Sequence, residues 1–263
     1  MFLENAMVDL VGLVLVLMVS IVPPILYLVW IRNAEVCRRE SMGSVLLAFG
    51  LAAIGSLGAA YVIEAILVTT LYSPGSILSH GFWGIQPNDQ NVQLLILAVL
   101  IAPVVEELTK SLAVLAMRPR LNEIEDGLVY GAAAGLGFAA VENVLYNATG
   151  LVQGTEVFLV IAISRALTST LLHASATAIT GYGIALSKFH RMAGHPESWA
   201  IYYMGAVLLH AFFNLFAIMG NFASDVAFIS VIGLLLSFLL AWTVFAWIHA
   251  SIKRLDRVNG CLR

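Results

Sequence analysis

Two adjacent glutamates and a lysine lie inside a hydrophobic stretch, IAPVVEELTKSLAV, at residues 101 to 114. Glu106 and Glu107 precede Lys110 by four and three residues, so the lysine can reach either carboxylate along one helix. A charged side chain in hydrocarbon costs at least ~2.5–3.5 kcal/mol, and such residues commonly mark functional sites. The stretch therefore predicts a functional site within a membrane-spanning helix.

Further ionisable residues occur in other hydrophobic stretches. His173 and His210 fall near the middle of their stretches, as the glutamate pair does, which predicts convergence at one depth from three helices. Asn214 follows His210 by four residues and shares its helical face. Lys110 and Arg165 are expected to be counter-charges. The remaining members are Glu142 with Asn143, which either cross-link helices or support the site, and the isolated Glu64.

This combination of side chains suits one reaction in particular. A carboxylate beside a histidine can deprotonate water, and a second histidine with an amide can bind the resulting oxyanion. These residues predict peptide hydrolysis by a general base, without a covalent intermediate. The zinc motif HExxH and a GxS motif paired with a histidine are both missing from the sequence, and all five aspartates lie at span ends or in loops.

The elements that must position these residues are membrane-spanning helices. Of the 263 residues 60% are hydrophobic and 11% charged, whereas a soluble domain carries roughly 25% charged residues. The composition predicts an all-α, polytopic transmembrane helical bundle in a lipid bilayer, with no nucleic-acid partner. We expect a single integral membrane domain over 1–263, with a catalytic core at about 92–220. The predicted spans are roughly 8–31, 43–71, 92–117, 127–148, 157–187, 199–220 and 226–250.

Lysine and arginine positions predict the orientation of the bundle. Eleven of the 13 basic residues fall in alternate connections and in the C-terminal tail, which places the N-terminus outside and the C-terminus inside. The segment 72–91 is then the longest external connection. Two further patterns concern the helices themselves. Pro103 removes one backbone hydrogen bond beside Glu106, either opening the helix to water or forming a kink without a role. Three glycines spaced by four residues predict close helix packing: Gly127, Gly131 and Gly135.

Five blocks of the sequence resemble the PrsW-type intramembrane proteases, in order and spacing, over roughly residues 100–215. The blocks are EELTK at 106–110, EDGLVYG at 125–131, GFAAVEN at 137–143, His173, and HAFFN at 210–214. That family shares a motif logic with the type II CAAX-prenyl endopeptidases in a glutamate-dependent membrane protease superfamily. The CAAX branch usually has arginine one residue after the position of Lys110, so a prenyl-cysteine substrate is disfavoured.

The resemblance implies roles for individual residues. Glu106 and Glu107 correspond to the essential glutamate pair of the family, and Glu142 with Asn143 match another family block. By similarity to the CAAX branch, Glu106 with His173 would activate water, while His210 and Asn214 would stabilise the oxyanion. The implied substrate is a membrane-anchored, single-span protein of the anti-sigma-factor kind. The implied location is a prokaryotic cytoplasmic membrane.

Two alternatives stay open from the sequence. We expect a glutamate-type, metal-free protease without a cofactor, but His173, His210 and Glu106 could instead form a three-ligand zinc site of a metalloprotease. A different class of function is a proton- or ion-coupled transporter that uses the same carboxylates. The lack of a repeat relating two halves counts against transport, as does the shared depth of the polar residues. A third, weaker alternative is an enzymatically inactive relative of these proteases that binds membrane helices without cutting them.

Overall fold

The structure is a computed structural model that describes residues 2–73, 90–194, 197–222 and 227–259. Within these residues seven helices are long and apolar enough to cross a membrane, which confirms the predicted seven-span helical bundle. The predicted external loop at 72–91 lies almost entirely outside the described residues. The spans are Leu10–Arg32, Met42–Leu71, Gln90–Arg120, Ile124–Gln153, Thr155–Met192, Ala200–Phe222 and Phe228–Val258.

Three of the seven spans are built from more than one helical element. The second and third spans each contain a π-helical segment, at Leu51–Ser56 and Ile96–Ile101, and the fifth is interrupted at Thr168. The α-helices in chain order are α1 Phe2–Arg32, α2 Met42–Gly50, α3 Leu57–Leu71, α4 Gln90–Leu95, α5 Ala102–Met117, α6 Ile124–Gln153, α7 Thr155–Leu167, α8 Ser169–Met192, α9 Ala200–Phe222 and α10 Ala227–Asn259.

Helix α6 is the central element, since most of its side chains are buried. It begins with a capping box in which the Asp126 side chain accepts a hydrogen bond from the Glu123 amide at 2.9 Å. It ends at Gly154, whose φ of 134° favours glycine and lets α7 begin at the next residue.

The face of α6 that meets α8 is formed by the three predicted glycines. A Cβ atom built at Gly127, Gly131 or Gly135 would lie 2.0 to 2.5 Å from a carbonyl oxygen of α8, closer than any real contact. At Gly135 that oxygen belongs to His173. The predicted close packing is confirmed. Because the backbone of His173 lies against Gly135, this packing also sets the position of His173 along the length of α6.

The N-terminal end of α6 lies beside the connections that contain most of the lysine and arginine residues, which are called the basic connections below. There the carboxylate of Asp256 on α10 accepts hydrogen bonds from the successive backbone amides of Val36, Cys37 and Arg38. Lys188 at the end of α8 donates to the carbonyl oxygens of Arg118 and Leu121 at 3.0 and 2.6 Å. Side chains of α10 and α8 therefore hold two interhelical connections in place on this side of the bundle.

Candidate active site

Three helices bring five ionisable side chains together in the interior of the bundle. Helix α5 contributes Glu106, Glu107 and Lys110, while α8 contributes His173 and α9 contributes His210. All five are buried, and Glu107 and Lys110 have no exposed side-chain surface. The predicted convergence from three spans is present in the structure.

The ammonium group of Lys110 is the centre of this cluster. It lies 3.0 Å from Oε2 of Glu106, 2.9 Å from Oε1 of Glu107 and 2.8 Å from Nδ1 of His173. An ammonium has three protons and no acceptor, so these contacts use all of its hydrogen-bonding capacity. They also fix the tautomer of His173, because Nδ1 must present its lone pair and the ring proton must sit on Nε2.

The proton on Nε2 of His173 points at a second carboxylate. Nε2 lies 2.9 Å from Oε2 of Glu142, which Arg165 also contacts at 2.5 Å through Nη2. The guanidinium of Arg165 binds the side-chain oxygen of Asn143 at 2.7 Å and stacks on the ring of Tyr146 at 3.9 Å. The supporting residues predicted from the sequence therefore form one chain of contacts that ends at His173.

Glu107 orients the second histidine. Its Oε1 atom lies 3.0 Å from Nδ1 of His210, and its Oε2 accepts a hydrogen bond from Thr177 at 3.1 Å. A carboxylate can only accept, so the proton of a neutral His210 ring sits on Nδ1 and Nε2 carries the lone pair. Thr177 was not among the site residues predicted from the sequence. Its position four residues after His173 on one helix was the signal that could have found it.

A cavity of about 440 Å³ adjoins the cluster in the half of the bundle away from the basic connections. Glu106 lines it, whereas Glu107 and Lys110 do not. Oε2 of Glu106 is 3.9 Å from Nε2 of His210 and 3.9 Å from Nδ1 of His173, too far for a hydrogen bond to either ring. Six residues singled out in the sequence share this lining with Glu106: Glu64, Glu142, Arg165, His173, His210 and Asn214.

Asn214 lines the cavity and also donates a hydrogen bond to the backbone of the span that contains the two glutamates. In the π-helical segment the amide of Ala102 pairs with the carbonyl of Leu97, five residues earlier. The same pattern would pair the Ala98 carbonyl with Pro103, which has no N–H. The side-chain amide of Asn214 donates to that carbonyl at 2.8 Å. One proton of the amide therefore replaces the backbone donor that Pro103 removes, and the second proton is left for other partners.

The donor types of a zinc site are present, since one atom each from Glu106, His173 and His210 lies within 4.8 Å of the others. Tetrahedral ligands at normal zinc distances would be about 3.4 Å apart. The two glutamate–histidine separations are 3.9 Å, and the lone pair of His173 Nδ1 already accepts from Lys110. In this arrangement the three residues do not fit zinc unless the Lys110 contact breaks.

Comparisons with known proteins identify relatives of the chain. The chain is 35% identical over 106 residues to Protease PrsW of Geobacillus kaustophilus, a match covering 39% of the chain and 44% of that relative. It is 25% identical over 195 residues to Protease PrsW of Clostridioides difficile, which covers 73% of each sequence. No solved structure matches the chain.

A family profile also matches the chain, over a longer range than the blocks found in the sequence. The profile described as PrsW family intramembrane metalloprotease matches residues 40–248, which includes α2 to α10 up to Ile248. Since the match spans well over half of the 263 residues, the chain belongs to the PrsW family of intramembrane proteases.

Proposed function

We propose that the chain is an intramembrane endopeptidase that hydrolyses a peptide bond of a membrane-anchored, single-span protein of the anti-sigma-factor kind. The observation that carries the proposal is the position of Glu106. Its carboxylate lines the cavity and is held by a hydrogen bond from Lys110, whereas Glu107 and Lys110 do not line the cavity. Membership of the PrsW family supports hydrolysis over the alternative of ion-coupled transport.

Glu106 is the proposed general base. A water molecule in the cavity gives a proton to the Glu106 carboxylate as its oxygen attacks the carbonyl carbon of the substrate. When the C–N bond breaks, the same proton passes to the leaving nitrogen, so that the enzyme returns to its starting state. Lys110 holds Oε2 of Glu106 in place and compensates its charge within the membrane.

His210 orients the attacking water and is not the oxyanion donor suggested by the family resemblance, because its only ring proton is directed at Glu107. Because Glu107 fixes its proton on Nδ1, the lone pair on Nε2 can accept a hydrogen bond from the water that Glu106 activates. The second proton of the Asn214 amide supplies an N–H donor for the oxyanion. His173 has both ring nitrogens engaged by Lys110 and Glu142, and acts by positioning Lys110.

The proposed reaction uses no metal, because Lys110 occupies the lone pair that His173 would offer to zinc. Elemental analysis of active protein together with chelator treatment tests this part separately. Stoichiometric zinc with activity that is lost on chelation and restored by zinc would contradict it. Activity in protein that contains less than a tenth of an equivalent of metal would support it.

Reconstitution in liposomes with a single-span membrane protein tests the main proposal. We expect Glu106→Gln to lower the cleavage rate by about 10²–10⁴-fold while the protein stays folded, since amide replaces the base without changing its size. Glu156→Gln, an exposed carboxylate on α7, is the matched control and should cleave like wild type. Cleavage that survives Glu106→Gln excludes Glu106 as the base. Wild-type protein that moves ions across the liposome and cuts no substrate would overturn the endopeptidase proposal.

A further inference from the structure

The cavity beside Glu106 has a lining that is open to the surroundings of the bundle on one side. Three large side chains of its lining are exposed, Tyr61 on α3 and Leu145 and Tyr146 on α6. Tyr61 is 70% exposed and Tyr146 is 50% exposed, although both lie in membrane-spanning helices. The large exposed side chains of the lining therefore lie where α3 faces the half of α6 that is away from the basic connections.

A polar residue lies just inside this opening. Glu64 is one helical turn after Tyr61 on α3, and it lines the same cavity as Glu106 and Glu142. One of its oxygens, Oε1, is buried and has no hydrogen-bond partner in the part of the chain that the structure describes. Buried carboxyl oxygens are normally hydrogen-bonded, so Oε1 of Glu64 is an acceptor available to a donor that enters the cavity.

A membrane-spanning substrate would bring such a donor. Its peptide bonds are hydrogen-bonded within a helix, so the segment that is cut must unwind before water can attack it. Unwinding frees backbone N–H groups, which need acceptors because lipid provides none. An acceptor on the path from the lipid to Glu106 meets that need.

Resting on the proposed endopeptidase function, we propose that the membrane-spanning segment of the substrate enters laterally between α3 and α6, past Tyr61 and Tyr146. Glu64 then accepts a hydrogen bond from a backbone N–H of the unwound segment. The opening is flanked by aromatic rings, which present apolar faces to an incoming helix. Tyr146 also covers Arg165, so the substrate passes a ring that shields the charged residues behind it.

Site-specific photo-crosslinking tests the entrance. A benzophenone amino acid is placed at position 61 or 146 of the Glu106→Gln protein, which keeps the substrate intact, in liposomes with a single-span substrate that wild type cleaves. The controls carry the same group at Phe228 and Trp247, which are aromatic, 69% and 54% exposed, and located on α10. We expect at least tenfold more crosslinked substrate from positions 61 and 146 than from the two controls.

Equal crosslinking from all four positions, or preferential crosslinking from α10, would overturn the lateral entrance. Because the substrate is one that wild type cleaves, either result would leave the endopeptidase function standing. Conversely, a wild-type protein that cleaves none of the single-span substrates offered refutes the function before the entrance is tested.

The contribution of Glu64 has its own readout. Glu64→Leu removes the acceptor, and we expect it to raise KM tenfold or more while kcat falls less. Glu64→Gln keeps one acceptor oxygen and should restore most of the lost affinity. A purely structural role would lower the fraction of folded protein in both variants and would not separate KM from kcat. Unchanged KM in Glu64→Leu would remove Glu64 from substrate binding.

Discussion

The side-chain nitrogen of Lys110 lies 2.8 Å from Nδ1 of His173, where the ammonium donates to the unprotonated nitrogen of a neutral imidazole ring. It joins α5 to α8 through a ring nitrogen that must present its lone pair. Because the other two protons of the ammonium go to Glu106 and Glu107, the lysine is saturated. The contact thus couples the charge balance of the glutamate pair to the position of a histidine 63 residues later in the chain.

Replacing this lysine tests that coupling. Lys110→Met keeps most of the side-chain volume but leaves two carboxylates without their counter-charge. Removing one partner of a buried ion pair typically costs about 3–5 kcal/mol, so we expect a loss of stability of that order and loss of peptidase activity. Chemical unfolding in detergent micelles measures the first effect and liposome cleavage the second.

The matched control is Lys253→Met, which alters an exposed lysine on α10 and should change stability by less than about 0.5 kcal/mol. If the two variants unfold at the same denaturant concentration, Lys110 does not stabilise the glutamate pair.

A double-mutant cycle separates the two possible roles of Asn214. Asn214→Leu leaves the Ala98 carbonyl without a donor, which should cost about 1–3 kcal/mol. Pro103→Ala restores a backbone N–H at position 103, so in that background the same Asn214→Leu change should cost less. Unfolding free energies of the four proteins give the coupling.

Equal costs in both backgrounds would show that the amide does not replace the donor lost at Pro103. The cleavage rate reports the other role. If Asn214 also binds the oxyanion, Asn214→Leu lowers kcat in both backgrounds, whatever the coupling energy.

The packing of α6 against α8 predicts an unusually sensitive position at Gly135. A Cβ atom there would lie 2.0 Å from the carbonyl oxygen of His173, so Gly135→Ala must push α8 away. We expect a loss of about 1–3 kcal/mol in stability from overpacking. Displacement of His173 and its lysine contact should lower activity about 10²-fold.

Gly58→Ala on α3 is the appropriate comparison, since a Cβ atom there would have no neighbour within 4 Å. It should stabilise the protein slightly, because alanine favours a helix more than glycine does. A Gly135→Ala protein with wild-type stability and activity would contradict the backbone contact.

The free energy of unfolding of the protein should depend on pH through Glu35, which lies in the basic connection after α1. The pKa of Glu35 is raised from 4.5 to about 8, mainly by burial and also by the nearby carboxylates of Asp126, Glu40 and Asp256, while a backbone hydrogen bond from Glu40 acts in the opposite direction. Below about pH 4.5 the group is protonated in both states. Between 4.5 and 8 only the unfolded chain has lost the proton, so the free energy of unfolding falls as pH rises, by up to about 1.4 kcal/mol per pH unit.

Unfolding midpoints measured from pH 5 to 8.5 check this slope. Glu35→Gln stays neutral throughout, so its midpoint should change less with pH than that of wild type over this range. An identical pH profile for the two proteins would mean that Glu35 titrates normally in the folded state.

The sequence predicted the architecture and the members of the cluster because both depend on local signals. Hydrophobic length indicates a membrane span wherever the helix lies, and the spacing from Glu106 to Lys110 fixes a contact within one helix. The depth of His173 and His210 followed from counting residues along their spans. Each of these inferences needs only the chain near the residue concerned.

Contacts between helices could not be predicted in the same way. The engagement of both nitrogens of His173, by Lys110 on one side and Glu142 on the other, depends on how α5, α6 and α8 are rotated. The π-helical segment before Pro103 also leaves no repeating pattern in the sequence. It changes the helical register, and with it the carbonyl that Asn214 must satisfy.

The glycine face of α6 has a thermodynamic consequence. Ordering a buried lysine or glutamate side chain costs up to about 1.5–2 kcal/mol in rotamer entropy, whereas ordering glycine or alanine side chains costs none. The cluster around Lys110 contains several long side chains that must each be held in one rotamer. The helix pair that supports it meets through Gly127, Gly131 and Gly135, which lose no side-chain freedom on packing. The rotamer entropy lost in building the site is thus confined to the residues that contact one another around Lys110.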